Sequence, residues 1–582
     1  MAKISGSDAV LQVIQKWGVK HIYGLPGGSF DSTMNAIYNQ RETLKYIQVR
    51  HEEAGAIAAS ADYKLTGKIG VCFGSAGPGA VHLLNGLYDA KEDGIPMLAI
   101  VAQVPTKRMN MDFFQAMNEE PIFDDVAVWN RTAMTAESLP MLTDEAIRQA
   151  YAHNGVAVLT IPKDLGWAEI EDNFETNANL HTVNYPAPTA ESVADAVKLI
   201  KDAKSPMIYF GIGAKDAAEE LKAASEKFKM PLVSSVLAKG IIEDDYPAYL
   251  GSTGRVAPKP GAEIGFSTDL ILWVGNNVPF SIFLFNKKAK VIQIDIDSEK
   301  FGKRHHTDVA IEADAKKSLA AINAAGEARE AREASAFYNA AVADKQNWDN
   351  WLDGLKDSTE SPVRAEPIFD VLNEEASDKA VWAVDVGNVN INFERLIRMH
   401  GDQKWATSGI YATMGFGVPA ALAAKVNYPD RDVYSLSGDG AFAMLSEEIL
   451  AQVKYNLHVI NVVFSNETLG FIEAEQTDDS HQPLSGVDLP DTDWAKVGEG
   501  YGAVGYTVRT KAEFKQALED SKKTDKPVVI DVKLTHAMPF TTEHMYLDDS
   551  WQDKDKIAEF VKKYDAQDLK PFSYFLKQAQ TN

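Results

Sequence analysis

Short apolar runs alternate with helix-like segments along most of the chain. In the first third, strand-like runs lie at 46–50, 69–73 and 97–103, and helical patterns lie between them at 53–65 and 80–90. Apolar runs of this length, separated by amphipathic helices, are typical of a parallel sheet whose two faces are covered. The pattern therefore predicts an α/β fold.

Two breaks divide this alternation. The first, 172–188, is polar and contains prolines, and the second begins with an Ala-, Glu- and Lys-rich segment at 315–355 that predicts helix. Strand-like runs follow the two breaks at 207–211, 232–235, 270–274, 291–296, 381–386, 433–436, 459–464 and 528–532. We therefore expect three parallel-sheet α/β domains and a helical tail, at residues 1–185, 186–345, 346–550 and 551–582.

Composition narrows the range of partners and locations. The 582 residues exceed what one core organises, and the formal net charge of -25 disfavours nucleic acid and anionic lipid as partners. The single cysteine, Cys72, excludes an intrachain disulfide. The sequence contains neither a secretory signal nor an apolar stretch long enough to span a bilayer, so we expect a cytoplasmic protein.

One motif has the features of an anion and metal site. Gly438-Asp439-Gly440 stands between a predicted strand and a predicted helix, and Asn466 follows the next strand. Glycines and a helix N-terminus let backbone N–H groups approach a phosphate, while Asp439 offers a hard oxygen to Mg²⁺. Carboxyl ends of neighbouring parallel strands open on one crevice, so Asn466 is expected beside Asp439. A plain turn followed by an unrelated loop residue is the alternative.

This spacing resembles the signature of thiamine-diphosphate-dependent enzymes, although Ser465 replaces the first residue of their usual Asn-Asn pair. The resemblance implies that thiamine diphosphate and Mg²⁺ are bound. It places Gly438 and Gly440 at the diphosphate, and it gives as metal ligands Asp439, the Asn466 side chain and the Thr468 carbonyl.

A carboxylate at the end of an early strand is the candidate activating acid. Glu52 and Glu53 follow strand 46–50 and begin a helix, where both could simply complement the helix dipole. The surrounding run, however, resembles the family's N-terminal signature over the whole helix, 50–67. The resemblance implies that Glu52 acts on the cofactor's aminopyrimidine and that Glu53 is a surface residue. It also places Ser75, His82 and Met414 against the cofactor.

The middle domain carries a weaker signal. Gly211-Ile212-Gly213-Ala214 is an incomplete dinucleotide fingerprint, because position 216 is Asp. The runs 251–257, 274–277, 293–297 and 302–305 resemble the flavin domain of bacterial pyruvate oxidases, in particular the phosphate-dependent branch of lactobacilli. That resemblance implies bound FAD, with candidate contacts at Gly213, Gly251, Arg255, Asn276, Asn277 and Asp295.

The same resemblance implies a substrate pocket and a reaction. Phe471 and Glu475 are four residues apart, so on a helix they share one face. Together with Phe114, Gln115 and Val386, they are expected to enclose pyruvate. The implied reaction uses pyruvate, phosphate and O₂ and yields acetyl phosphate, CO₂ and hydrogen peroxide. The family also implies a homo-oligomer, at least a dimer and commonly a tetramer.

Three alternatives stay open. An acetolactate synthase usually has Trp after the diphosphate motif, where this chain has Leu469-Gly470-Phe471. A quinone-reducing pyruvate dehydrogenase would use a lipid-binding tail, but the mixed charge of 557–576 suits a packed tail better. A flavin-binding protein without catalysis would leave the joint presence of Glu52, Asp439 and Asn466 unexplained.

Overall fold

The computed structural model describes residues 2–181, 184–254, 256–328, 332–479, 482–536 and 569–581. Predicted site residue Arg255 and most of the predicted tail, 551–568, lie outside them. The described residues form three six-stranded parallel sheets with helices, which we name the first, middle and third domains, and a C-terminal helix. The predicted fold class is confirmed.

The first domain contains a parallel sheet and a short antiparallel pair. In chain order the strands are β1 (Lys3–Ser5), β2 (His21–Gly24), β3 (Lys45–Gln48), β4 (Gly70–Gly74), β5 (Met97–Gln103), β6 (Ala127–Thr132), β7 (Val156–Pro162) and β8 (Glu169–Glu171). The sheet order is β3-β2-β4-β5-β7-β6, and β1 pairs with β8. Its helices are Gly6–Lys16, Asp31–Asn39, Glu52–Thr66, Pro78–His82, Leu84–Glu92, Glu119–Phe123, Leu139–His153 and Lys163–Trp167.

The middle domain has a different strand order. Its strands are β9 (Pro206–Phe210), β10 (Leu232–Ser234), β11 (Tyr249–Ser252), β12 (Leu270–Val274), β13 (Lys290–Asp295) and β14 (Val309–Glu312). They run β11-β10-β9-β12-β13-β14, the order of a doubly wound dinucleotide-binding sheet. Strands before and after the switch point between β9 and β12 are therefore added on opposite sides of β9. Its helices are Ala190–Asp202, Ala218–Phe228, Lys259–Glu263 and Ala315–Ala325.

The third domain repeats the topology of the first. Its strands are β15 (Val381–Val384), β16 (Lys404–Ala406), β17 (Val433–Gly438), β18 (Ile460–Ser465), β19 (Val504–Val508) and β20 (Val528–Lys533), in the order β16-β15-β17-β18-β20-β19. Its helices are Ala365–Glu375, Asn388–Leu396, Gly417–Asn427, Asp439–Leu445, Ile449–Lys454, Gly470–Ala474, Trp494–Tyr501 and Lys511–Ser521. The C-terminal helix is Phe572–Thr581.

The first and third domains share one core. Helix Glu52–Thr66 and helix Gly417–Asn427 are both rich in alanine, and their buried faces belong to a single apolar cluster. Small side chains let two helices approach closely, so the two domains of one chain are packed as a unit. The glutamate-bearing end of the first domain is therefore held rigidly against the third.

One predicted helix is corrected. The segment 315–355 contains two helices, Ala315–Ala325 and Arg332–Leu355. The first ends at Gly326, whose backbone is extended at φ -79 and ψ 151. A Cβ added at Gly326 would lie 2.6 Å from the Phe228 ring, so glycine allows the chain to turn there.

Candidate functional site

Asp439 lies where the motif predicts, at the carboxyl end of β17. It is 5% exposed, and its Oδ1 and Oδ2 accept hydrogen bonds from the Gly440 and Glu467 N–H groups at 2.9 and 2.8 Å. Burial raises the pKa of Asp439, and these N–H donors oppose the rise. The Glu467 bond joins the turn after β17 to the turn after β18, which contains Asn466.

A cavity of about 440 Å³ lies between the middle and third domains. Thr253, Gly254, Val278 and Phe280 line it on the middle-domain side. Nine of the predicted site residues line the opposite side, namely Val386, Met414, Gly438, Asp439, Gly440, Asn466, Thr468, Phe471 and Glu475. The structure thus brings together the predicted metal, diphosphate and substrate residues of the third domain.

The residues around Asp439 fit a magnesium-bound diphosphate. A carboxylate, an amide side chain and backbone carbonyls form the hard oxygen set that Mg²⁺ prefers. Gly440 packs tightly, because an added Cβ would lie 2.8 Å from the Leu469 side chain and 3.3 Å from the Met414 methyl. A larger side chain at position 440 would therefore crowd the start of helix Asp439–Leu445, and N–H groups at a helix N-terminus favour an anion.

Glu473 and His536 lie behind the turn that contains Asn466 and Thr468, and the sequence analysis did not predict them as site residues. The Thr468 hydroxyl donates to Glu473 at 2.9 Å, and His536 Nε2 lies 2.9 Å from the other Glu473 oxygen. These bonds fix the turn that contains Asn466 and Thr468. No spacing in the sequence connects His536 with a turn 68 residues earlier, so only the fold reveals the contact.

Asp385 shapes two walls of the cavity and was also missed as a site residue. It is fully buried and accepts hydrogen bonds at 3.0 Å from the N–H groups of Val386, Gly415 and Gly417. Burial raises the pKa of Asp385 to about 6. The carboxyl group thus orients Val386 and the segment that contains Met414. A charged residue ending an apolar strand was the available signal.

Glu52 lies in a second group of residues. It is 6% exposed, and its Oε2 lies 2.9 Å from Nδ1 of His82, whose ring stacks on His51 at 4.3 Å. A Cβ added at Gly79 would lie 2.9 Å from Glu52 Oε1 and 2.7 Å from the Ser75 hydroxyl. Glu52, Ser75 and His82 are therefore neighbours, as the family resemblance implies.

The prediction that Glu53 is a surface residue is only partly right. Its Oε1 accepts a hydrogen bond from Asn85 at 2.5 Å, and its side chain is 25% exposed.

The predicted substrate residues of the first domain lie in a loop beside Gly77. Gln115, with φ 61, lies against Gly77, where an added Cβ would be 3.1 Å from the Gln115 carbonyl. Phe114 beside it is 77% exposed.

The two groups are separate within one chain. Among the described residues, none from 2–181 lines the cavity, so Glu52, Ser75, His82, Phe114 and Gln115 lie outside it. The group around Glu52 and the group around Asp439 thus lie apart in one chain, and we call them the two half-sites of the predicted site.

Three of the middle-domain candidates, Gly213, Asn276 and Asn277, lie at the switch point of their sheet. Gly213 lies so close to Gly275 that an added Cβ would be 2.8 Å from the Gly275 Cα. Asn276 Oδ1 accepts from the Val278 N–H at 3.0 Å, and Asn277 Oδ1 accepts from Arg304 Nε at 3.1 Å.

The remaining described candidates, Gly251 and Asp295, lie in β11 and β13 of the same sheet. Gly251, at φ 86, adopts a conformation that favours glycine, and burial raises the pKa of Asp295 to about 6. Dinucleotides bind at the switch point of such sheets, so these residues fit FAD.

Comparison with known proteins identifies all three domains. Models of the N-terminal TPP binding domain, the central domain and the C-terminal TPP binding domain of thiamine pyrophosphate enzymes match residues 4–122, 193–322 and 385–532. In the part of the chain that the structure describes, no helix is both long and apolar enough to cross a bilayer.

Full-length relatives agree with this assignment. The chain is 46% identical over 581 residues to a pyruvate oxidase of Lactiplantibacillus plantarum, covering 99% of this chain and 96% of the relative. It is 38% identical to a putative thiamine pyrophosphate-containing protein of Bacillus subtilis, with 94% of each covered. A probable acetolactate synthase large subunit of Methanocaldococcus jannaschii is 30% identical, with 92% of each covered.

Proposed function

The chain belongs to the thiamine pyrophosphate enzyme family, and we propose that it is a pyruvate oxidase that uses thiamine diphosphate, Mg²⁺ and FAD. The observation that carries the proposal is the 46% identity to a pyruvate oxidase along nearly the whole chain. The cavity supports it, because Val386, Phe471 and Glu475 lie on one wall with Asp439 and Asn466. Relatives that are acetolactate synthases are more distant, at 30% identity or below.

The proposed roles follow from the chemistry of each residue. When bound, thiamine diphosphate supplies an electron sink for decarboxylation, and FAD supplies a two-electron acceptor. Asp439, the Asn466 side chain and the Thr468 carbonyl would hold Mg²⁺. Glu52 would hold a proton at the aminopyrimidine in a site that excludes water, with His82 fixing its orientation.

The predicted substrate residues would bind pyruvate and exclude water from it. Gln115 would donate to the pyruvate carboxylate, and Glu475 would move a proton at the reacting carbon. Phe114, Phe471 and Val386 would exclude water, with Val386 limiting the room for the methyl group. In the net reaction pyruvate loses CO₂, phosphate takes the acetyl group, and O₂ gains two electrons and two protons to become hydrogen peroxide.

We further propose that the active enzyme is a homo-oligomer, at least a dimer, and a tetramer as is common in the family. The support is the separation of the two half-sites, since a second chain can bring Glu52 to the cavity. The loop beside Gln115 also exposes apolar side chains, with Met111 62%, Phe113 42% and Phe114 77% exposed. A cytoplasmic location stays a prediction, supported by the single, buried cysteine Cys72.

One assay separates the candidate activities. Purified protein with all three cofactors is given pyruvate with and without phosphate, and hydrogen peroxide, acetyl phosphate and acetolactate are measured. We expect peroxide and acetyl phosphate in equal amounts, and loss of acetyl phosphate without phosphate. Acetolactate as the main product would overturn the proposal, as would lipid-stimulated quinone reduction without a need for phosphate.

A further inference from the structure

A buried ion cluster joins the first and third domains away from both half-sites. Lys64 Nζ donates to Asp89 Oδ2 at 2.8 Å, to Asp93 Oδ2 at 2.7 Å and to the Thr407 carbonyl at 2.8 Å. The lysine side chain is 8% exposed, and both carboxylates are fully buried. Three charged groups from the first domain thus meet a backbone segment of the third.

Three residues of that segment bond to the cluster. Besides the Thr407 carbonyl, the Gly409 and Ile410 N–H groups donate to Asp93 at 2.9 and 2.8 Å. A Cβ added at Gly409 would lie 2.7 Å from Asp93 Oδ1, so the approach requires glycine. On the segment's side all three bonds are made by the backbone, and they therefore fix its path.

The contact continues along the same first-domain helix. Asn85, Tyr88 and Asp89 share one face of helix Leu84–Glu92. Asn85 Nδ2 donates to the Thr413 hydroxyl at 2.8 Å, and the Tyr88 ring stacks on Tyr411 at 5.7 Å. The helix thus follows the segment 407–413 from one end to the other.

This segment forms part of the cofactor cavity. Its residues Ser408, Gly409, Ile410 and Ala412 line the cavity, and Met414 follows directly. Ala412 has φ 54, a left-handed conformation that costs an alanine about 1 kcal/mol or more. Such a conformation persists only where surrounding contacts impose it.

We propose that Lys64, Asp89 and Asp93 are positioning residues that hold the segment 407–413 of their own chain, so that Ala412 and Met414 face the thiamine cofactor. The inference rests on the proposed function of the cavity. The first domain would then have two roles. It contributes Glu52 to one half-site, and through Lys64, Asp89 and Asp93 it shapes the wall of the cavity in the third domain of the same chain.

Energetics favour positioning over simple stabilisation. Burying a lysine with two carboxylates costs desolvation that roughly offsets their attraction, so apolar side chains could pack there as stably. Unlike apolar side chains, the cluster makes directional bonds to a defined run of N–H and carbonyl groups. Such bonds specify one backbone conformation.

The test is Asp93→Asn, which removes the charge facing Lys64 and places an NH₂ group near the Gly409 or Ile410 N–H. The protein is freed of thiamine diphosphate but keeps its FAD. Calorimetric titration with thiamine diphosphate and excess Mg²⁺ then gives the affinity for thiamine diphosphate, and flavin absorbance gives the FAD content. We expect the thiamine diphosphate Kd to rise at least 10-fold with FAD content unchanged. Excess thiamine diphosphate should restore most of the turnover.

Asp344→Asn is the matched control. Asp344 is likewise buried and forms an ion pair with buried Lys259, but in the middle domain and on helix Arg332–Leu355. We expect lower thermal stability without a change in thiamine diphosphate affinity. Equal losses of affinity in both variants, or an unchanged Kd in Asp93→Asn, would overturn the proposal.

Two further provisions keep the test decisive. If Asp93→Asn does not fold, Asp93→Glu replaces it with the same expectation, because the charge stays while the carboxylate moves by one methylene. Binding is measured without pyruvate. A parent protein that binds thiamine diphosphate but makes no peroxide would therefore refute the proposed function and leave the positioning role open to measurement.

Discussion

Glu52 and Glu53 are adjacent in sequence but have different surroundings. Glu52 is buried against His82, whereas Glu53 bonds to Asn85 and remains partly exposed. Glutamine at position 52 cannot hold or exchange a proton there, so we expect Glu52→Gln to lower pyruvate turnover by about 10²-fold or more. Initial rates of peroxide formation measure the loss.

Glu53→Gln is the control for this prediction. Its amide can keep the Asn85 contact, so we expect turnover within a few-fold of the parent and thiamine diphosphate binding unchanged in both variants. A larger loss from Glu53→Gln than from Glu52→Gln would reverse the assignment of the two glutamates.

At the residue scale, motifs predict which side chains lie near one another. Asp439 and Asn466 meet as their strand-end positions predict, because the register of a parallel sheet aligns neighbouring carboxyl ends. Asp385 and Glu473 act through contacts that depend on tertiary packing. The sequence around them has no spacing that encodes those contacts, so they were not predicted as site residues.

At the scale of elements, the turns after β9 and β12 depend on glycine. A Cβ at Gly213 would lie 2.8 Å from the Cα of Gly275, and backbone cannot yield there as a flexible side chain could. We expect Gly213→Ala to separate the two turns and to lower bound FAD several-fold, with thiamine diphosphate affinity retained. The flavin absorbance of the purified protein measures this.

Gly354→Ala is the control for the flavin prediction. Gly354 lies in helix Arg332–Leu355, and an added Cβ there meets nothing within 4 Å. Alanine favours helix over glycine by about 1 kcal/mol, so this variant should keep its FAD and be slightly more stable. Full FAD content in Gly213→Ala would refute the close-approach argument.

Prediction found some strands of each sheet and missed others. The run 97–103 coincides with β5, which is buried throughout, but β7 (Val156–Pro162) was missed although it is equally apolar and buried. Among the other missed strands, β6 (Ala127–Thr132) and β16 (Lys404–Ala406) lie at sheet edges, where polar residues such as Asn130 and Arg131 are tolerated. A run of three residues, as in β16, also gives no measurable period.

At the scale of the whole molecule, buried carboxyl groups link stability to pH. Glu448 is fully buried between the first and third domains and accepts hydrogen bonds from the N–H groups of Arg50 and His51 at 2.6 and 3.0 Å. Burial raises its pKa to about 8, more than the two N–H donors lower it.

The sign of the pH effect follows from proton binding. Between its unfolded pKa, about 4.5, and about 8, the folded protein binds more protons at Glu448 than the unfolded chain does. Its contribution to stability therefore falls as pH rises through this window, by at most about 1.4 kcal/mol per pH unit. We expect Glu448→Gln to lose less stability than the parent between pH 6 and pH 8, measured by urea unfolding.

Glu42→Gln serves as the control, because the Glu42 side chain is 86% exposed. This variant should follow the pH dependence of the parent. If the free energy of unfolding changed with pH equally in the parent and in Glu448→Gln, burial would not raise the pKa of Glu448 as the structure indicates.

The assembly of the site could not be predicted from spacing. Motifs identify Glu52 and Asp439 as parts of one chemistry, but only the fold shows that they lie in separate half-sites of a chain. This separation predicts that each active site is built from two chains. A lesion on one chain can then be compensated by the other.

Mixing two inactive variants tests this prediction. Glu52→Gln and Asp439→Asn chains, each with a different affinity tag, are co-expressed, and the doubly tagged oligomer is isolated. In a mixed dimer with shared sites, one site carries both lesions and the other carries none, so about half of the parental turnover should return. Two differently tagged Glu52→Gln chains, the control, should stay inactive. If each site were instead complete within one chain, every site would carry one lesion, and the mixed oligomer would be as inactive as its parents.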